Sequence, residues 1–441
     1  MMMSATDAKT LHIFQTTFPD EYKVRFARAP GRVNLIGEHT DYNGLPVLPM
    51  AIDREIIIAF SLNPKSFIEL VNSADFPPCN FPISGDIPHY EMGEWGNYAK
   101  AGAQAIWNWT ARHCPEKLPL KGFRGCVGGT IPPGAGLSSS SALIVAVAVA
   151  LVDVNGINIS KPEFADLLAK GERYVGTEGG GMDQAVSIMA EKGKALKIDF
   201  FPLRTRPVPL PNSYEIVVAN SLVSAKKTGN ARSAYNMRVA ECKLGLEMLI
   251  HDSQIQKAEL LRDISTLKDW PNILSSVPDG LLSLTEIAEY TGIAADDLGQ
   301  KCLQHFTDNM PDSFYPKERC RHVLTEAERV ECAADAMERG DAAALGELMN
   351  ESHASCARDY EISCPELDSL VSLLRSNGAI GARLTGAGFG GCAVALVKSN
   401  DVEKLIDGVW KSYYENLDVA PNRDQVIFTC SPVDGAGIID L

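Results

Sequence analysis

Pro132-Pro133-Gly134-Ala135-Gly136-Leu137-Ser138-Ser139-Ser140-Ser141 runs without a break into Ala142-Leu143-Ile144-Val145-Ala146-Val147-Ala148-Val149-Ala150-Leu151-Val152. Glycine lets the backbone turn tightly and approach a ligand closely. The run after the serines is apolar on every side, so it is buried whatever form it takes. Its valines permit a strand, but the run from 142 to 152 exceeds ordinary strand length and the serines ahead of it can cap a helix. The stretch therefore predicts a buried helix opened by a glycine turn. Free N–H groups and the positive end of the dipole make such a terminus an anion site, and the serine hydroxyls add donors and a metal-ligand candidate. Taken alone, the segment also reads as a capped core helix after a plain turn.

Working outward, Gly122–Thr130 reads as a strand feeding this turn, and Tyr98–Trp109 has helical apolar spacing. Val47–Phe60 is rich in Ile, Val and Leu and predicts strands, as do residues 61–90 between surface turns. Arg28–Gly37 reads as a loop entering a strand, because Pro30 and Gly31 punctuate it, and residues 1–26 read as helix. Downstream, residues 160–175 predict a helix with Ser160 as N-cap, Pro162 in the first turn and Glu163 at the capping-box position. Residues 194–220 read as strands split by prolines, 231–375 as mostly helix, and Val426–Cys430 as a strand. The shift from mixed to helical pattern divides the chain into 1–205 and 206–441 and argues for an α+β fold.

The net charge of −15 and the lack of a clustered Lys/Arg face exclude a nucleic-acid partner. An anionic ligand then needs local basic groups, backbone N–H groups or a metal ion. The 11 cysteines are scattered without a C-x-x-C pair, which points to reduced thiols in the cytoplasm and not to zinc. No signal peptide is expected from the opening residues, and the apolar run Ala142–Val152 is too short to span a bilayer.

Three further segments carry chemistry. Gly176-Thr177-Glu178-Gly179-Gly180-Gly181-Met182-Asp183-Gln184 makes room for a ligand beside a carboxylate, or is a loop with a capping Asp. Gly31-Arg32-Val33-Asn34-Leu35-Ile36-Gly37-Glu38-His39-Thr40-Asp41-Tyr42-Asn43 gathers Arg, Glu, His and Asp behind a turn, as converging sugar hydroxyls require. Leu384-Thr385-Gly386-Ala387-Gly388-Phe389-Gly390-Gly391-Cys392 matches G-x-G-x-x-G in form. It lies late and runs into strand-like Ala393–Val397, so dinucleotide binding is rejected. No Walker A loop, protein-kinase signature, G-x-S-x-G elbow or H-E-x-x-H is present. Lys226, Lys227 and Arg232 sit where they could reach phosphate but read better as solvated surface, and His353 and Cys356 read as structural.

Together these motifs resemble the family of galacto-, homoserine, mevalonate and phosphomevalonate kinases, and within it the galactokinase branch. The segment Gly31–Asn43 is similar to the galactokinase signature almost letter for letter, Gly134–Ala142 to the phosphate loop, and Leu384–Cys392 to the third glycine motif. Ser363-Cys364-Pro365-Glu366-Leu367-Asp368 is also typical, and the resemblance runs from Arg28 to the C-terminus. It implies a two-domain α+β fold with the active site in the cleft between an N-terminal mixed-sheet domain and a mostly helical, ferredoxin-like C-terminal domain. It implies transfer of the ATP γ-phosphoryl group to the C1 hydroxyl of α-D-galactose. By resemblance, Asp183 is the catalytic carboxylate and Arg32 its partner; Glu38, His39 and Asp41 hold sugar hydroxyls, and Gly180, Gly181 and Tyr235 line the sugar. Gly134, Ala135, Gly136, Leu137, Ser138, Ser139, Ser140 and Ser141 wrap the phosphates, and Ser140 with Glu172 coordinates Mg²⁺. A monomer acting on small molecules is implied.

Two alternatives stay open at this point. Many galactokinases carry Cys-Gly-Ile before Met-Asp-Gln, whereas Gly179-Gly180-Gly181 with Glu172-Arg173-Tyr174-Val175-Gly176 looks like the branch of plant galactokinases and N-acetylgalactosamine kinase. Tyr235 and Thr40-Asp41-Tyr42-Asn43 look more galactose-like. A sugar- and ATP-binding sensor without kinase activity would lack part of the run Ser138–Ala142, which is complete here.

Overall fold

In the computed structural model the residues described are 4–74, 76–176, 179–223, 231–253, 255, 257–304, 306, 311–415, 417 and 421–439, those at 231 and 232 by backbone only. Thr177, Glu178, Lys226, Lys227 and the side chain of Arg232 lie outside them.

The first sheet has six strands in the order Gly437–Ile439, Arg25–Asn34, Pro49–Asn63, Gly122–Gly129, Phe67–Asn72 and Cys79–Pro82. All neighbours are antiparallel except Phe67–Asn72 beside Gly122–Gly129, so the sheet is mixed. The apolar run is a helix, Ser139–Val154, packed on Arg25–Asn34 and Pro49–Asn63 with Gly96–His113 against it. Burial of Ile144, Val145, Val147 and Leu151 there removes aliphatic surface from water, at about 1.5–3 kcal/mol per side chain. The second sheet, Gly381–Thr385, Cys392–Lys398, Tyr214–Asn220 and Ile427–Cys430, is antiparallel throughout and packs against helices Pro365–Ser376 and Val402–Val409. Helices Ala231–Ser253, Pro316–Glu338 and Ala342–Arg358 build the helical part. Strands and helices are segregated, as an α+β fold requires. Among the described residues no helix is long and apolar enough to cross a membrane.

Several local expectations are corrected. Arg28–Asn34 is strand, not loop, and Pro30 and Gly31 sit at a register shift that pairs Pro30 with Glu55 and Arg32 with Ala51. Such an irregularity re-aims the next side chain. The first helix is only Ala5–Thr17, closed by a capping box between Ser4 and Asp7. At Lys161–Gly171 the Ser160–Glu163 box does not form; Glu163 instead accepts from Trp109 Nε1 at 2.8 Å. Apart from these, Lys194–Asp199 and Arg204–Pro209 pair as an antiparallel hairpin, and Gly437–Ile439 pairs with Arg25–Asn34.

Gly102 lies where helix Gly96–His113 crosses the phosphate-loop helix, and a Cβ there would sit 2.7 Å from the Ile144 carbonyl oxygen. Backbone cannot yield as a side-chain tip can. Gly102→Ala is expected to destabilise the protein by about 1–3 kcal/mol in urea unfolding; a neutral result would show that the two helices are not held at this spacing.

Candidate active site

The bulge at Gly31 aims Arg32 across the sheet edge. A Cβ on Gly31 would lie 2.7 Å from the Leu137 carbonyl oxygen, so only glycine lets the phosphate loop cross here, and Arg32 N donates to that carbonyl at 3.3 Å. The Arg32 guanidinium then forks onto Asp183, Nε to Oδ1 at 2.8 Å and Nη2 to Oδ2 at 3.1 Å, while Nη1 donates to the Gly136 carbonyl at 2.6 Å. A two-point guanidinium–carboxylate contact fixes orientation as well as charge.

The helix start is built differently from a serine cap. Ser138 occupies the N-cap position at φ 61° and makes no cap bond. A non-glycine residue in that region carries a cost of about 1–2 kcal/mol, and here the hydroxyl is sent to Asp183 Oδ2 at 2.5 Å. The first backbone N–H groups of the helix are thereby left without a side-chain cap, an arrangement able to receive an anion. Gly134 and Gly136, at φ 71° and 75°, make the turn. Ala135 and Leu137 are buried under it.

A cleft of about 390 Å³ opens beside this loop. Arg32, Glu38, His39, Asp41, Gly136, Ser138, Ser140, Ser141, Glu172, Gly181, Asp183 and Tyr235 all line it, so most residues singled out from the sequence converge. Gly180 does not line it. It abuts the sugar loop, where a Cβ would meet Tyr42 N at 2.2 Å, and so lets the Asp183 segment approach Asp41. Ser141, not Ser140, donates to Glu172 Oε1, at 3.0 Å, and Gln184 Nε2 holds the other oxygen at 2.9 Å.

Carboxylates outnumber cations in the cleft. Burial and then the charge of Asp183 push Glu172 up to about 7, and the same two causes push Asp41 up to about 6. Burial also raises Glu38, against the pull of Arg383. This surplus of hard oxygen donors beside a phosphate loop fits a magnesium ion, with the Ser140 hydroxyl and Glu172 carboxylate facing the same space.

His39 lines the cleft with both ring nitrogens in contact with protein groups. Burial pushes its pKa down to about 3, so the ring is neutral. Its Nε2 lies 3.1 Å from the Ala387 carbonyl, which can only accept, so Nε2 carries the proton. Nδ1 then accepts from Tyr42 OH at 2.9 Å, Tyr42 accepts from Tyr360 at 2.6 Å, and the Cys242 thiol lies 3.1 Å beyond. The ring also supports Tyr235 at 5.0 Å between centroids.

Sequence reasoning missed Arg383 and Ala387. The third glycine motif is a prop: a Cβ on Gly386 would lie 2.6 Å from the Gly136 carbonyl, and one on Gly391 3.0 Å from that of Ala135. His353 and Cys356 are structural as read, His353 near Asp368 and Cys356 accepting from Arg383.

Family models match three stretches: the galactokinase galactose-binding signature over residues 12–62, the GHMP kinases N terminal domain over 97–191 and the GHMP kinases C terminal over 333–416. A galactokinase of Dictyostelium discoideum is 34% identical, covering 97% of this chain and 92% of its own. One of Saccharomyces cerevisiae is 34% identical over 88% of this chain and 86% of its own. The crystal structure of Lactococcus lactis galactokinase complexed with galactose is similar at TM-score 0.76 and 30% identity, covering 98% of this chain and 99% of that one. A mevalonate kinase structure at 18% identity and TM-score 0.52 shares the fold.

Glu172 gives the site a pH signature. In the unfolded chain it loses its proton near its ordinary value of 4.5, and in the folded protein near 7. The neutral carboxyl thus stabilises the fold in full below about pH 4.5, and that contribution is lost as pH rises through 7. Glu172→Gln is expected to match the unsubstituted protein at pH 5. At pH 8 it should be more stable by about 1–2 kcal/mol, a figure reduced for cleft water. Urea unfolding of ligand-free protein reads this; equal effects at both pH values would contradict it.

Proposed function

The chain belongs to the galactokinase family of the GHMP kinases and is an ATP-dependent sugar kinase, and we propose that it converts α-D-galactose and ATP to galactose 1-phosphate and ADP. The observation that carries the reading is the forked Arg32–Asp183 pair set between the phosphate loop and the sugar loop. The L. lactis relative was solved with galactose, and the relatives quoted above are galactokinases, so the amino-sugar alternative is not favoured.

In this reading Glu38, His39, Asp41 and Tyr235 form the sugar wall, and Asp183 faces the anomeric hydroxyl. A sugar hydroxyl is a poor nucleophile. Asp183 accepts its proton as the C1 oxygen bonds to the γ-phosphorus, and the bond from that phosphorus to the bridging oxygen breaks with its electrons going to ADP. Ser138 and Ser141 bring the phosphate loop to the same carboxylate, Ser141 Oγ at 3.4 Å from Asp183 Oδ2. Arg32 holds the carboxylate in register and places positive charge where negative charge builds on the phosphoryl group. The uncapped amides after Ser138 receive phosphate oxygens. Magnesium, held by Ser140 and Glu172, would offset the charge of the phosphates.

ATP consumption with Mg²⁺ against galactose and N-acetylgalactosamine in parallel tests the substrate: turnover on galactose is expected, and turnover confined to the amino sugar would overturn the reading. Asp183→Asn should lower kcat by at least about 10²-fold with the fold intact, the usual weight of a general base. Near-normal turnover in that variant would remove Asp183 from the chemistry.

A further inference from the structure

Strand Gly381–Thr385 carries a guanidinium with no exposed surface. Arg383 Nη1 lies 3.2 Å from Glu38 Oε1 and 3.1 Å from the Asn34 carbonyl, and Nε donates to Ser352 Oγ at 3.0 Å. The same Glu38 oxygen accepts from Gly386 N at 2.9 Å. A charge this deep persists only where partners replace water.

The two carboxylates near Arg383 are not equally dependent on it. Glu326 lies 3.8 Å away and already has Arg329 at 2.7 Å, Gly37 N at 2.8 Å and Ser352 at 2.5 Å. Burial works against its charge, yet Arg329 leads the groups that hold it down at about 2. Glu38 makes its one ion pair, among the described residues, with Arg383. Loss of Arg383 therefore removes the ion pair of Glu38 at the wall of the cleft, leaving it the Gly386 amide and the more distant charge of Arg32, while Glu326 keeps Arg329. Three residues on, Gly386 and Ala387 hold Glu38 and His39, so one short segment sets both.

We propose that Arg383 is a positioning residue for the sugar: it fixes the Glu38 carboxylate in one orientation at the cleft wall, and so acts on sugar binding and not on nucleotide binding or transfer. This rests on the galactokinase reading above. Arg383 touches no reacting group; it acts through Glu38.

The test is steady-state kinetics of the full chain with galactose and Mg·ATP. Arg383→Lys keeps a buried cation between the carboxylates but loses the planar group that also reaches the Asn34 carbonyl and Ser352. It should raise the KM for galactose by about 10-fold, with kcat and the KM for ATP within about 3-fold. Arg383→Met should raise it further or fail to fold, so Arg383→Lys carries the argument. On a Glu38→Gln background, Arg383→Lys should change the galactose KM by less than about 2-fold, because the two act as a unit. An unchanged galactose KM, a parallel fall of all constants, additive effects with Glu38→Gln, or an unfolded Arg383→Lys protein would each overturn the proposal. An unsubstituted chain that phosphorylates no galactose would overturn the functional reading first, and is distinguishable from all of these.

Discussion

The sugar side of the cleft depends on a cation that never meets solvent. Arg383, wholly buried, links the end of strand Arg25–Asn34, the sugar-loop residue Glu38 and helix Ala342–Arg358 through one planar group. Its desolvation is tolerable only while each partner stays in place. That demand locks the sugar loop to the helical part, where Gly37 N also reaches Glu326 and the Glu38 carbonyl reaches His322. The second guanidinium, Arg32, works at the open side and is aimed by a strand irregularity at Gly31. One arginine sets the wall, the other sets the carboxylate.

The glycine motifs allow close approach between backbones. Gly31 lets the phosphate loop cross the first strand, Gly180 lets the Asp183 segment reach Asp41, and Gly386 lets the third motif rest on Gly136. Backbone groups brought this close need partners, and the Arg32 bond to the Gly136 carbonyl supplies one. The result is a rigid junction of three segments distant in sequence, with Ser138 in a left-handed conformation at its centre. A residue held in such a region persists because its surroundings fix it, and such positions gather at functional sites.

Much of this was legible in the sequence, for local reasons. The turn from Gly134 to Ser141, the buried helix after it and the isolation of Asp183 beside three glycines are each written within a few neighbouring residues. The α+β segregation follows from strand and helix patterns in separate stretches. What stayed hidden is non-local. Arg383 and Glu38 are 345 residues apart, and no periodicity pairs them. Glu163 looks like half of a capping box until Trp109 is brought beside it. Ser138 looks like a cap until Asp183 competes for its hydroxyl. For both, a tertiary partner outbid the local one. The Ala387 carbonyl that holds His39 Nε2 is 348 residues away in the chain.

The central claim is that the cleft presents one hydroxyl, the anomeric one, to Asp183. Phosphorus NMR of the product formed from galactose and Mg·ATP tests it most directly. The account predicts a single phosphomonoester whose phosphorus couples to the sugar H1. A product phosphorylated at any other carbon, or inorganic phosphate alone, would contradict it.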